Sequence, residues 1–107
     1  MATFARIHDA RRAGGECVRW AALGLEEMLN GGGAVLAEAA AATGDGSVGA
    51  EIRLRGEGTM MVYSDQRPVR VLLDGEPVSF SWEDERCILR VPYARVPQGT
   101  RRLVVAY

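Results

Sequence analysis

The sequence predicts an all-β fold, an antiparallel β-sandwich with an irregular or partly helical N-terminal segment. Three features of the 107-residue chain lead to this prediction. Short runs rich in β-branched and aromatic residues follow one another through residues 51–107, and turn-forming residues separate them at regular intervals. The run from Val78 to Trp82 alternates strictly between apolar and polar residues, which is the period of a half-buried strand. Strands this short with turns this regular are typical of an antiparallel sandwich.

The strands of the second half are delimited by their turn residues. We expect the first two at 51–55 and 59–64, separated by glycines, and a third at 69–73 after a polar turn. The dipeptide Asp74-Gly75 tolerates positive φ at both residues, so it predicts a tight hairpin. The remaining strands are expected at 78–82, at 87–91, where Pro92 stops the strand, and at 101–107.

Residues 18–42 support two competing predictions. The spacing of Leu25, Met28 and Leu29 fits one face of a helix, but the first of these leucines could equally belong to a strand. The run 34–42 is rich in alanine and has a strong intrinsic preference for helix. From local pattern alone, helix and strand both stay open here.

Composition argues against several classes of partner. Thirteen arginines and fourteen acidic residues give a net charge of −1 and alternate along the chain, so we expect no nucleic-acid partner. No apolar run approaches the ~20 residues of a membrane span, and no secretory signal is visible. Cys17, Cys87 and His8 are too few to ligate zinc, so no metal is expected. The two cysteines could form a disulfide, but two free buried thiols in a reducing compartment is the simpler interpretation. It predicts the cytoplasm, with the plastid as the alternative.

The sequence predicts no catalytic and no cofactor-binding residue. Residues 44–49 spell Gly-x-Gly-x-x-Gly, but an alanine-rich run precedes them and a strand follows, whereas a dinucleotide site needs a strand before and a helix after. The acidic residues 83–85 fall in a turn, where carboxylates are usually solvated. Nothing in the pattern arranges a serine and a carboxylate around His8, so a Ser-His-Asp site is not predicted.

Aromatic side chains provide the candidate binding feature. Trp82 and Tyr93 could form a platform on which a sugar ring stacks. Aromatic residues at strand spacing more often belong to the core. A binding platform requires exposed, coplanar rings beside polar groups, so the two interpretations differ in exposure.

A series of motifs runs through residues 18–107 in a fixed order. They read Gly-Leu-Glu-Glu-Met-Leu-Asn-Gly-Gly-Gly-Ala-Val at 24–35, Arg-Gly-Glu-Gly at 55–58, Tyr-Ser-Asp-Gln-Arg-Pro at 63–68, Asp-Gly at 74–75, Val-Ser-Phe-Ser-Trp at 78–82 and Val-Pro-Tyr at 91–93. Together they resemble the C-terminal end of plant raffinose synthases, alkaline α-galactosidases and seed imbibition proteins, which belong to glycoside hydrolase family 36. Ala22, Asp65 and Tyr93 depart from the family pattern, which has proline, serine and tryptophan there.

The resemblance implies a parent enzyme with a catalytic (β/α)8 barrel bearing two aspartates, followed by a C-terminal β-sandwich. It implies galactosyl transfer from galactinol to sucrose, or hydrolysis of α-galactosides, without a cofactor. The barrel segments that carry the aspartates are absent from this sequence, so no catalytic residue carries over. We therefore expect a non-catalytic sandwich domain at 18–107 after an irregular segment or junction at 1–17, and strand or loop instead of helix at 18–42.

The expected partners follow from the same resemblance. They are the catalytic barrel of a parent enzyme or a second copy of the chain. The alternative is a stand-alone carbohydrate-binding or regulatory module that takes α-galactosides at Trp82 and Tyr93.

Overall fold

The computed structural model describes residues 7–12, 14–26, 35–42, 48–97 and 99–107. These residues form ten β-strands and no helix, so none of them belongs to a helix that could cross a bilayer. The strands join into one antiparallel sheet that curls over itself, and the fold is all-β as predicted. The strands are β1 (His8–Arg11), β2 (Cys17–Leu25), β3 (Val35–Ala42), β4 (Val48–Arg55), β5 (Gly58–Ser64), β6 (Arg70–Leu73), β7 (Glu76–Pro77), β8 (Ser81–Glu83), β9 (Ile88–Tyr93) and β10 (Thr100–Ala106).

The strand order divides the sheet into two layers. Strands β7, β6, β10 and β4 form the first layer, with β3 on the far side of β4, and β2, β5, β9 and β8 form the second. Strand β1 connects them, because it pairs with β2 along its length and with β4 only at Arg11. Two hydrogen bonds span the layers, from Tyr93 Oη to Arg55 O at 2.7 Å and between Tyr107 Oη and Ser64 Oγ at 2.8 Å. The curled sheet therefore encloses one core, as a β-sandwich does.

The core consists of the inward side chains of alternate residues. On β4, for example, Ile52 and Leu54 are fully buried while Arg53 between them is exposed. Complete burial of such a side chain contributes about 1.5–3 kcal/mol, so this alternation fixes which face of each strand points inward. The largest fully buried side chains are Trp20, Ile52, Leu54, Met60, Leu89 and Leu103.

Strands β2 and β3 decide the conflict over residues 18–42 in favour of strand. Strand β3 is alanine-rich, yet it pairs with β4 along its whole length. Intrinsic preferences among ordinary residues differ by under about 1 kcal/mol per residue, so a neighbouring strand edge can override them. Residues 27–34 lie outside the described residues, so the predicted helical face at Met28 and Leu29 is not described.

Strand β1 is an addition to the predicted elements. The sequence predicts an irregular segment at 1–17, whereas His8–Arg11 pairs with the first residues of β2. Of these four residues only Ala10 is buried, at 3% exposed, and the partly exposed His8 shares its face. An inward face of one alanine and one histidine has almost no hydrophobic period, so this strand forms because it pairs with β2.

The strand expected at 78–82 forms only at its end, where β8 begins at Ser81. Residues 78–80 belong to no strand, and the short β7 precedes them. The predicted faces are nevertheless right. Val78, Phe80 and Trp82 are half-buried and pack against the core, whereas Ser79 and Ser81 are exposed. The hydrophobic alternation therefore correctly predicted which side chains face the core, but it did not predict how many of these residues pair with a neighbouring strand.

Two turn predictions have opposite outcomes. The hairpin at Asp74-Gly75 is confirmed, since the two residues have φ of +53° and +86°. The prediction that Pro92 stops its strand is wrong, because β9 continues through it to Tyr93. Strand β8 pairs with β9 only as far as Arg90, so the proline lies where β9 has a partner on one side alone. Edge positions of this kind tolerate the missing N–H of proline.

Candidate functional site

The predicted sugar-stacking residues both turn their rings inward. Trp82 is half-buried against the core and donates from Nε1 to Ser64 O at 3.1 Å. Tyr93 is 7% exposed, and its hydroxyl donates to Arg55 O. Burial also raises the pKa of Tyr93. A stacking role stays a prediction, and the inward orientation of both rings counts against it.

A buried polar cluster lies where the layers meet, around Ser64. Its hydroxyl contacts Gln66 O at 2.6 Å and Tyr107 Oη at 2.8 Å, while its carbonyl accepts the bond from Trp82. Ser64 is fully buried, and burial raises the pKa of Tyr107 to about 12. A nucleophilic serine needs an adjacent base and an approach for substrate. These contacts instead join β5, β8 and the residue that follows β10.

A second cluster gathers side chains from three strands. The His8 imidazole stacks on the indole of Trp20, with ring centroids 4.3 Å apart and planes at 19°. His8 Nε2 lies 3.3 Å from Glu38 Oε1, which is close enough for an ion pair but does not have hydrogen-bond geometry. The same carboxylate oxygen accepts a long bond from Ala22 N at 3.4 Å. The cluster fastens β1 and β3 over the fully buried Trp20.

Sequence reasoning missed both clusters. Each assembles residues that are far apart along the chain. Ser64 and Trp82 stand in two of the motifs, but neither motif shows that the two residues meet each other or Tyr107. Around His8 the sequence shows no hydrophobic periodicity, so it gave no sign that this stretch contributes to a cluster. Only the strand pairing brings these side chains together.

Several acidic side chains pair with arginines. Asp74 accepts bonds from Arg102 N at 2.9 Å and Arg101 Nε at 2.8 Å, and the backbone bond above all lowers the pKa of its carboxyl group. Glu83, in the predicted acidic turn, contacts Arg90 Nη1 at 3.1 Å. Arg102 also pairs through Nε with a glutamate of β4. Carboxylates held this way neutralise neighbouring cations on the surface.

Other sites of chemistry are sparse in the part of the chain that the structure describes. No group of three or more His, Cys, Asp or Glu there could hold a metal ion. Cys17 and Cys87 are both free thiols. An open cleft of about 410 Å³ lies along β1 and β2, lined by Asp9, Ala10, Arg11, Cys17, Arg19 and Val48. Its lining holds charges of both signs and defines no ligand class.

The motif residues lie at positions that the backbone requires. Gly58 has a φ of +137°, and a Cβ there would lie 3.2 Å from Leu25 Cδ2. Asp74 and Gly75 form the positive-φ hairpin. Ser64 is the centre of its buried cluster. Turns, close contacts and internal hydrogen bonds therefore account for these motif residues, all of which lie in the described part of the chain.

Comparison with known proteins places these segments in context. The family model described as raffinose synthase or seed imbibition protein Sip1 matches residues 5–92. A galactinol–sucrose galactosyltransferase of Oryza sativa subsp. japonica is 40% identical over 90 residues, which cover 84% of this chain and 11% of that protein. A probable galactinol–sucrose galactosyltransferase 5 of Arabidopsis thaliana is 39% identical over 80 residues, covering 75% of this chain and 10% of that protein. A stachyose synthase of Pisum sativum is 31% identical over 91 residues, covering 84% of this chain and 10% of that protein. The chain thus spans about a tenth of the length of these relatives.

Proposed function

Because this chain belongs to the family of raffinose synthases and seed imbibition proteins and is homologous to its C-terminal region, we propose that it is a non-catalytic β-sandwich domain. In this role it packs against the catalytic (β/α)8 barrel of a parent enzyme. The names of its relatives describe galactosyl transfer between galactinol and sucrose. The chain supports such a reaction, or α-galactoside hydrolysis, as a scaffold and supplies no reacting group.

The observation that carries this proposal is the structural use of the motif residues. Gly58 and Gly75 provide positive φ, and Ser64 and Tyr93 make buried hydrogen bonds between strands or layers. A catalytic motif would instead place acids or nucleophiles in a shared cleft. In family 36 chemistry, moreover, two carboxylates must flank one glycosidic bond. The carboxylates of Asp74, Glu83 and Glu51 are already paired with arginines.

A contact surface for the barrel is suggested by the outer face of the second layer. Tyr63 of β5 and Ile88 of β9 are paired residues, are both half-buried, and form a row on this face. Ala21 of β2 is paired with Tyr63 but is only 2% exposed, so it adds almost no contact surface. Tyr63 and Ile88 point away from the core, and a sheet face directed to solvent would be expected to carry polar residues there. We propose that this row packs on the barrel, which the remaining nine-tenths of a relative's length is large enough to supply.

The first test measures activity and needs only the purified chain. We expect no turnover of raffinose, galactinol or a nitrophenyl galactoside above a heat-inactivated control, since a two-carboxylate mechanism needs both groups. Measurable turnover by the chain alone would show that it is catalytic.

The second test grafts the chain into a relative. The rice galactosyltransferase is rebuilt with this chain in place of its own matching segment. We expect the chimera to keep its activity and the Ile88→Glu chimera to lose it. The matched control is Val69→Glu, which changes an exposed residue beside the other layer and should leave the activity unchanged. Equal activities for the two variants would contradict the proposed contact face.

The alternative of a stand-alone carbohydrate-binding module makes a different prediction. It requires the isolated chain to bind α-galactosides, with loss on substitution of Trp82, and calorimetry can measure this. For the compartment we keep the cytoplasm, with the plastid as the alternative, and imaging of a tagged chain distinguishes them.

A further inference from the structure

The edges of the curled sheet differ in how well they are guarded. Strand β7 is two residues long and includes Pro77, and β8 is three residues long and includes Glu83. Short length, proline and charge all discourage a further strand from pairing. Strand β3 is eight residues long and, among the described residues, pairs only with β4.

Within Val35–Ala42 itself, no proline and no outward charge guards the free edge of β3. Glu38 is its only charged residue, and that carboxylate is turned inward to His8 Nε2 and Ala22 N. Leu36 is 47% exposed, although it is a large apolar side chain. A long edge with these properties presents a row of backbone N–H and C=O groups that can pair with another strand.

We propose that this edge pairs with the same edge of a second copy of the chain, antiparallel and centred on Ala39. The pairing extends both sheets into one and has two-fold symmetry, so it places the same surface on both sides of the interface. This inference concerns the isolated chain and does not depend on the proposed role beside a barrel.

The faces of β3 and the position of Glu38 restrict the register. In a continuous antiparallel sheet the side chains of opposed residues lie on the same face. A centre at Ala39 meets this condition and uses the strand from Leu36 to Ala42. Glu38 then faces the partner's Ala40 instead of the partner's Glu38, so no like charges are directly opposed. This register therefore opposes no like charges, and it sets the larger side chains of Leu36 and Glu38 against alanines.

Ala39→Lys tests this pairing with little effect on the monomer. Within its own sheet Ala39 is paired with Glu51, whose carboxylate already contacts Arg102, so a lysine there still lies beside an acidic side chain. Across the two-fold axis, however, two lysines would face each other. We expect the association constant to fall about fivefold, as for like charges directly opposed across strands. Raised salt should recover part of the loss by screening.

Sedimentation equilibrium over a dilution series measures the association. We expect the unmodified chain to change from its 11.6 kDa monomer to twice that mass as concentration rises. The control is Ser79→Lys, which adds the same charge at an exposed residue away from β3 and should leave association unchanged. A monomer at every concentration, or equal association of the Ala39→Lys variant and the unmodified chain, would overturn the proposal.

A charge-swap experiment tests the register itself. Ala39→Glu should also weaken self-association, because two glutamates then face each other. An equimolar mixture of the Ala39→Lys and Ala39→Glu chains should associate more tightly than either variant alone. If the mixture gains nothing, Ala39 does not face the partner's Ala39, and the proposed register is overturned.

Discussion

The hydrogen bond between Ser64 and Tyr107 offers a quantitative test of how the two layers are joined. Gln66 O lies 2.6 Å from Ser64 Oγ and can only accept, so the serine proton is used there. Tyr107 must therefore donate its proton to Ser64 Oγ, 2.8 Å away. Both side chains are buried, so water cannot readily replace a lost partner.

The geometry gives unequal costs for the two single substitutions. Tyr107→Phe removes one bond and leaves Ser64 with its acceptor, so we expect a loss of about 1 kcal/mol in the free energy of unfolding. Ser64→Ala removes two bonds and leaves the tyrosine hydroxyl unpaired in the core, for a loss of about 3 kcal/mol. The double variant has no stranded hydroxyl, so it should lose only about 2 kcal/mol for its two bonds.

The assay is urea unfolding of the unmodified chain, both single variants and the double variant. The single losses sum to about 4 kcal/mol, so the cycle should show a coupling of about 2 kcal/mol. Additivity within about 0.5 kcal/mol would refute the reasoning, because residues without a shared interaction behave that way. A larger loss for Tyr107→Phe than for Ser64→Ala would refute the assignment of donor and acceptor.

Two further predictions use the same unfolding measurement. Burial raises the pKa of Tyr107 to about 12, whereas an unfolded tyrosine ionises near pH ~10. The contribution of the neutral Tyr107 hydroxyl to stability is therefore complete below pH ~10 and is lost as pH rises to about 12. Tyr107→Phe should make the decline of unfolding free energy with alkaline pH shallower. An unchanged decline would contradict the raised pKa. Phe80→Ala should cost about 2 kcal/mol, since the ring is half-buried against the core, while the exposed Ser79→Ala should cost about 0.5 kcal/mol or less. Similar losses for Phe80→Ala and Ser79→Ala would mean that the faces are wrongly assigned.

Local chemistry made the second half of the fold predictable. The dipeptide Asp74-Gly75 can form a tight turn because both residues tolerate positive φ, and the structure has that turn. The alternation from Val78 to Trp82 correctly separated inward from outward side chains. The break in pairing within this segment was not predictable, because it depends on where β6 and β9 end their contacts with it.

The first half was predictable only in part, because its strands depend on partners far along the chain. The alanines of β3 prefer helix when considered alone, and the edge of β4 makes them a strand. Strand β1 has a single inward apolar residue, so it carries no readable period. The hydrophobic pattern alone favoured neither helix nor strand here, and the resemblance to a known family supplied the preference for strand or loop.

The candidate site shows the same limit. Spacing placed Trp82 and Tyr93 on strands but could not say whether their rings point into the core or to solvent. Their hydrogen bonds to Ser64 O and Arg55 O depend on which strands face each other across the layers. The contact of His8 with Glu38 likewise requires β1 and β3 to meet, which no local pattern reports.

The central position of β10 has a consequence for how the domain is made. This strand comes last among the ten, yet it lies between β4 and β6 and pairs with both. During synthesis, β4 and β6 therefore leave the ribosome before the strand that joins them exists, while β2, β5 and β9 can already pair. Pairing between distant segments is slow, and unpaired edges are prone to wrong partners while they wait. We expect the second layer to form first and the first layer to stay open until Thr100–Ala106 has emerged.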